Sequence, residues 1–214
     1  MKTICGHTFD ESKLDSNSNV IDLGANRGFF SKEIIENYGC NVLGYEPSRH
    51  LCQNELTELK DKYNNKFNFF NNAIWSSKKM MTLSDFDDRN GNSASGVANS
   101  ILPRKNDSLK DGRKLVQEYQ VECITLESIL DMFETIDLLK VDIEGSELEV
   151  IKSTSEESLS KCKQICLEFH LFCSSEYDFD YNGDDVSKII KKLNDIGFKS
   201  EKTNNKHPDY RFYK

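Results

Sequence analysis

The 214-residue chain has no surplus of positive charge, no C-x-x-C pair, no long apolar run and no internal repeat. Each absence excludes something. Lys and Arg number 28 against 36 Asp and Glu, for a net charge of -8. Nucleic-acid binding needs clustered cations to neutralise phosphates, so nucleic acid is not the expected partner. The nearest approach to a basic patch, "KSEKTNNKH" at 199–207, reads as a solvated turn. No stretch approaches the ~20 apolar residues that cross a bilayer, and the N-terminus lacks the apolar core of a secretory signal. The seven cysteines are Cys5, Cys40, Cys52, Cys123, Cys162, Cys166 and Cys173. The last three cluster, but without the second close pair that zinc would require. Free thiols in a reducing compartment are the better reading, and the expected location is cytoplasmic. Asn106-Asp107-Ser108 matches a glycosylation acceptor by chance in such a protein. The length suits one domain, 1–214, able to bury roughly 70 % or more of its unfolded surface. That domain could itself be one part of a larger polypeptide.

What is present begins at Val20. Val20, Ile21, Asp22 and Leu23 read as a buried strand running through Gly24, Ala25, Asn26, Arg27 and Gly28 straight into a helix. Glycines so placed turn a backbone sharply and let something approach it closely. Phe30, Ile34, Ile35 and Tyr38 recur at helical spacing, and Gly39 stands where a C-cap belongs. "NVLGYE" at 41–46 is a second strand stopped by Pro47. A helix with Cys52, Leu56, Leu59 and Tyr63 on one face follows, then "KFNFFNNAIW" as a third strand. The order βαβαβ predicts a parallel sheet with helices on its faces. The first ~18 residues are polar and short, so little structure is expected there.

After a hairpin-like "MMTLSDF", residues 87–114 turn to Gly, Asn, Ser, Asp and Lys. A loop this long in a compact domain reads as a lid, a binding loop or plain disorder. "YQVECITLESIL" and the apolar strand "IDLLKVDI" follow, the latter ending in Glu144-Gly145. Ser146 with Glu149 predicts a capping box for the next helix. "KQICLEFH" is another strand. Asn182-Gly183-Asp184-Asp185 opens a helix carrying Val186, Ile189, Ile190 and Leu193, with Gly197 at its end. Two short strands, around Phe198 and at Tyr210 to Tyr213, close the chain. The fold class is α/β, a doubly wound, mostly parallel sheet with an antiparallel edge.

In such a sheet the ligand lies beyond the carboxyl ends of the strands, beside the first one. A dinucleotide fold asks for G-x-G-x-x-G, whose second glycine lets backbone touch a pyrophosphate. Asn26 stands at that second place and the third glycine is absent. A nucleoside without a pyrophosphate fits better. Glu46 ends the second strand 22 residues after Gly24, where a carboxylate can accept both hydrogens of a ribose diol; it could instead cap the turn before Pro47. With Asp22 near a cationic end, the ligand reads as S-adenosylmethionine.

"VIDLGANRGFFS", "GYEPS", "NNAIWS" and "LLKVDIEGSELEVIK", followed by "ICLEFH", resemble the FkbM family of S-adenosylmethionine-dependent methyltransferases, over about Val20 to His170. The resemblance implies a class I methyltransferase (Rossmann-like) fold with a seven-stranded sheet. It also implies O-methylation of a hydroxyl, often on a sugar, polyketide or other metabolite. By position it implies that Asp22, Gly24, Ala25, Asn26, Gly28 and Phe29 surround the methionine end, that Glu46 and Pro47 hold the ribose, and that Asn72 and Ala73 flank the adenine. The expected acceptor is a small-molecule or glycan hydroxyl.

Methyl transfer from a sulfonium needs alignment, exclusion of water and an acceptor for the hydroxyl proton. Asp142 and Glu144 share one side of a strand end by their two-residue spacing, and Glu168 and His170 do so on the following strand. These four are the candidate catalytic residues. His170 has a suitable ordinary pKa for a general base, and Asp142 is the better placed carboxylate. The oxygens could instead hold Mg²⁺, although nothing in the spacing requires a metal. Lys140 alternates with Asp142 and is expected to pair with a neighbour. Two other readings stand beside the methyltransferase: a nicotinamide-dependent dehydrogenase on the same fold, and a non-catalytic module that binds S-adenosylmethionine.

Overall fold

The computed structural model describes residues 1–87, 99–102, 114–171, 183–204 and 209–214. Gly91, Gly96, Gly112, Asn106 to Ser108, Cys173 and Asn182 lie outside them.

The chain opens with structure where little was expected. β1 (Lys2–Ile4) and β2 (His7–Phe9) pair antiparallel as a hairpin. Its two turn residues, Cys5 and Gly6, have φ of 49° and 88°. A type I′ two-residue hairpin needs positive φ at both places, and Cys-Gly supplies it less recognisably than Asn-Gly. Phe9 is fully buried and packs edge-on to Phe30 and Tyr38.

β3 (Asn19–Leu23) leads through the glycine turn into α1 (Phe29–Tyr38), which Gly39 ends in the left-handed conformation, its N–H donating to Ile35 O at 2.8 Å. β4 (Asn41–Tyr45) precedes one helical stretch made of α2 (Arg49–Leu51), a π segment at Cys52–Leu56 and α3 (Thr57–Tyr63). The expected third strand divides in two. β5 (Phe67–Phe70) joins the main sheet, while β6 (Ala73–Trp75) leaves it to pair with β8 (Leu115–Thr125). Asn71 fixes the break: its side-chain N–H group donates to Glu46 O and Pro47 O, both at 2.9 Å, where strand pairing would otherwise continue. β7 (Lys79–Phe86) pairs antiparallel with β8, completing a three-stranded sheet of order β6-β8-β7.

α4 (Leu126–Leu130), β9 (Leu138–Val141), α5 (Glu147–Ser153), α6 (Glu156–Ser160) and β10 (Gln164–Glu168) follow, then α7 (Gly183–Asp195), β11 (Lys199–Lys202) and β12 (Asp209–Tyr213). The main sheet has seven strands in the order β11-β12-β10-β9-β3-β4-β5. Its antiparallel edge consists of the two pairings made by β12; β10, β9, β3, β4 and β5 run parallel.

Strand alternation sorts the core into two layers. Ile21, Leu23, Leu139, Val141, Ile165 and Leu167 face one cluster; Val20, Leu138 and Cys166 face the other, under α1. Asp22 and Lys140 belong by parity to the α1 face, and both are buried there. The six cysteines described are free thiols, five of them buried. Cys162 and Cys166 lie in opposite layers, so this part of the cysteine cluster does not converge on a metal. No described helix is long and apolar enough to cross a membrane.

Candidate active site

The order of strands reverses at β3, with β4 on one side and β9 on the other, so the crevice belongs at the carboxyl ends of β3 and β9. Gly24 is where they meet. A Cβ there would stand 1.8 Å from the carbonyl oxygen of Asp142, and its φ is +77°. The object that approaches this glycine is the chain's own backbone, arriving from β9. Gly28 has φ +75°, and a Cβ would stand 2.6 Å from Leu59 Cδ2. It seats α1 against α3 and lines neither cleft.

Every N–H of the turn is already used. Those of Gly24 and Ala25 donate to Tyr45 O at 2.9 and 3.0 Å, and that of Gly28 to Ala25 O at 2.8 Å. Asn26 N donates to Glu46 Oε2 at 2.9 Å, and Arg27 N to Asn26 Oδ1 at 2.7 Å. Glu46 therefore clamps two turns, because its Oε1 accepts from Ser48 N at 2.8 Å. Burial pushes its carboxyl up to about 7, against the lowering effect of those N–H groups.

Two clefts open at this edge. The first, about 560 Å³, is lined by Gly24, Asn26, Glu46, Pro47, Asn72 and Ala73, and also by Asp142 and Glu144. The sequence missed Asn99 and Ile101, which also line it. They come from the otherwise undescribed 87–114 segment, and Ser100 beside them donates its hydroxyl to Glu144 O at 2.7 Å. The second cleft, about 870 Å³, shares Gly24, Asn26 and Asp142 and adds Ala25, Phe29 and Lys140, with Cys5 and His7 from the hairpin. Asp22 lines neither. It is 0 % exposed, takes the Ser31 hydroxyl at 2.7 Å and pairs with Lys140 Nζ at 3.0 Å. The sequence placed Asp22 beside the ligand; its partners hold it one layer beneath.

The four candidate catalytic residues do come together, at the ends of adjacent strands β9 and β10. Glu144, at φ 53°, ends the strand alternation, and its turn brings it to His170. Nε2 of His170 lies 3.8 Å from Glu144 Oε2 and 3.5 Å from Glu168 Oε1. Its Nδ1 faces Glu147 Oε1 at 3.0 Å. Glu147 was not singled out in the sequence. The expected capping box is replaced by it: Ser146 gives no side-chain cap, and buried Glu147 turns back to accept from Ile143 N and Gly145 N. Glu149 lies outward, 3.8 Å from Lys152.

These contacts set the protonation states. Burial opposes charge on His170, but Glu147, Glu144 and Asp142 outweigh it and lift the imidazole to about 10. An imidazole so raised favours its cationic form, which donates to the carboxylates around it. Burial alone would raise Asp142, yet Lys140, His7 and His170 hold its carboxyl well below the usual range. Glu168 is raised, by burial first and then by Asp142. Burial also disfavours the charge on Lys140, but Asp22 and Asp142 hold its pKa above the ordinary value. His7, Asp142 and Glu168, and likewise Asp142, Glu144 and His170, bring ligand atoms within 4.8 Å of one another, close enough to share a cation. Lys140 and His170 are the cations the structure places there.

A family model for the methyltransferase FkbM domain matches residues 22–200. The chain belongs to the FkbM methyltransferase family. It is 29% identical over 195 residues to methyltransferase sdnD of Sordaria araneosa, covering 76% of this chain and 70% of that protein. Its fold is similar to the crystal structure of methyltransferase FkbM from Methylobacillus flagellatus KT, with a TM-score of 0.56 at 14% identity. That match covers 94% of this chain and 44% of the other, so this chain spans less than half of that larger protein. Within the FkbM segment lie the glycine turn, both strand-end pairs and Glu147; the hairpin with His7 lies outside it.

Proposed function

We propose that this FkbM methyltransferase transfers a methyl group from S-adenosylmethionine to a hydroxyl of a small metabolite or glycan. The observation that carries the reading is Glu46, a buried carboxylate at the end of β4 that faces the first cleft beside Pro47, Asn72 and Ala73. Each of its oxygens takes one backbone N–H and keeps a lone pair for a ribose hydroxyl. Adenosine would occupy that cleft, held by Glu46, with Asn72, Ala73 and Ile74 along the base and Gly24 and Asn26 beside the sulfur. When bound, the donor supplies an electrophilic methyl on a sulfonium, whose carbon–sulfur electron pair leaves with sulfur.

The chain's task is to align the hydroxyl and take its proton. Of the four candidates, Glu168 is the one tuned to accept it, because burial raises its pKa toward working pH. Asp142 stays ionised and orients, and His170, as a cation, steadies the carboxylates around it. Glu144 supports that arrangement through His170. The six free thiols described fit a reducing compartment.

Calorimetry with S-adenosylhomocysteine tests the donor site. Glu46→Ala removes a charged acceptor worth about 1.5–3 kcal/mol and should weaken binding roughly 10- to 100-fold. A folded variant with unchanged affinity would take Glu46 out of the site. Screening hydroxyl compounds with radiolabelled donor then tests the reaction, and Glu168→Gln should lower kcat roughly 10²-fold or more with donor affinity kept. Donor binding without transfer to any acceptor favours a non-catalytic module.

A further inference from the structure

His7 is a buried polar side chain that the functional reading so far leaves unused. It is 3 % exposed, 135 residues from Asp142 in sequence, and its Nε2 lies 3.3 Å from Asp142 Oδ2. A carboxylate only accepts, so Nε2 carries the hydrogen there, and in the Nε2–H tautomer the lone pair is on Nδ1. Nδ1 has no hydrogen-bond partner among the described residues. Phe30 meets the ring edge-on, 5.8 Å between centroids, and fixes its plane. The ring lines the second cleft, which shares Gly24, Asn26 and Asp142 with the first.

The walls of this second cleft carry both signs. Asp142 and His7 Nδ1 are acceptors. Arg27, exposed and without a side-chain partner among the described residues, is a donor, as are the opening N–H groups of α1 at Phe29 and Phe30, which have no carbonyl within the helix to meet. An ammonium and a carboxylate on one carbon match such a pair of surfaces. A nucleoside alone uses neither.

We propose that the N-terminal hairpin completes the donor site, closing the second cleft over the amino-acid end of the donor, with His7 and Asp142 receiving its ammonium and Arg27 and α1 facing its carboxylate. The assignment rests on the donor reading given above. It adds a contribution from residues 1–21, which the FkbM match at 22–200 does not include. His7 is thus a donor-binding residue delivered by an element that precedes the methyltransferase core.

Two thioethers test it by calorimetry. S-Adenosylhomocysteine and 5′-methylthioadenosine share the adenosine and sulfur; the first carries the amino-acid end. His7→Ala should weaken S-adenosylhomocysteine roughly tenfold or more, by loss of a hydrogen bond to a charged group, and leave 5′-methylthioadenosine unchanged. Arg27→Ala, at an exposed position where folding is not at stake, should weaken S-adenosylhomocysteine alone by about threefold to tenfold. Equal weakening of both compounds by His7→Ala would make the hairpin a mere support and overturn the proposal. So would unchanged binding of S-adenosylhomocysteine by both variants. If His7→Ala does not fold, the Arg27→Ala comparison decides. Wild-type protein that fails to bind 5′-methylthioadenosine would overturn the donor reading itself.

Discussion

Under the proposed function Glu46 has two tasks for one carboxylate, and its titration should report both. It clamps Asn26 N and Ser48 N, and it is offered to the ribose of the proposed donor. Burial lifts its folded pKa from 4.5 to about 7. A raised carboxyl favours its neutral form in the folded state, so its contribution to stability is complete below about 4.5 and is lost as pH rises through about 7. The donor needs the ionised form, so its affinity should move the other way. Between pH 6 and 8, binding of S-adenosylhomocysteine should strengthen by up to roughly tenfold, with proton release visible in calorimetry in buffers of different ionisation enthalpy. Binding that is flat over this window would separate Glu46 from the ribose. His170 teaches the complementary lesson. From the sequence it reads as a base; Glu147, a buried neighbour that only the fold reveals, raises its pKa and favours the cation.

At the scale of elements, β3 and β9 are joined by more than their ladder. Asp22 and Lys140 are register partners, and Lys140 Nζ also donates to Gly24 O at 2.7 Å. Removing one member of a buried pair leaves the other charge uncompensated, so Lys140→Met should cost about 3–5 kcal/mol in denaturant unfolding. Adding Asp22→Leu should recover part of that loss; a double variant as unstable as the sum of the singles would mean that the two side chains act separately. The buried lysine was legible in the strand's parity. So were the parallel order, the helix ends at Gly39 and Gly197, and the strand-end pairs, because apolar spacing and glycine placement are local signals. The hairpin was not: three-residue strands show no periodicity, and Phe9 is held by Phe30 and Tyr38, well beyond any local window. Nor was the division between β5 and β6, which depends on Asn71 reaching the turn after β4. Gly24 was found by its motif without its cause, since glycine placement signals a close approach without saying what approaches.

At the scale of the molecule, fold alone leaves a dinucleotide open as the ligand, because parallel sheets of this kind serve dehydrogenases as well as methyltransferases. The turn decides between them. A pyrophosphate is held by free backbone N–H groups at a glycine turn, and here the N–H groups from Gly24 through Gly28 are committed to Tyr45, Glu46, Asn26 and Ala25. The charges add to this. Glu46, Asp142 and Glu144 line the first cleft around the turn, and the whole chain carries -8. Two phosphates entering the first cleft would meet carboxylates and no spare N–H of the turn from Gly24 to Gly28. NAD should therefore bind at least roughly 100-fold more weakly than S-adenosylhomocysteine in competition calorimetry, a difference of about 2.7 kcal/mol. Part of that penalty is long-range repulsion, which salt screens over a Debye length of about 10 Å at 0.1 M. The gap should narrow as salt rises and persist at high salt, where the missing N–H donors still count. Tight NAD binding that weakens with added salt would point to cations cradling the phosphates, and would return the dehydrogenase reading to first place.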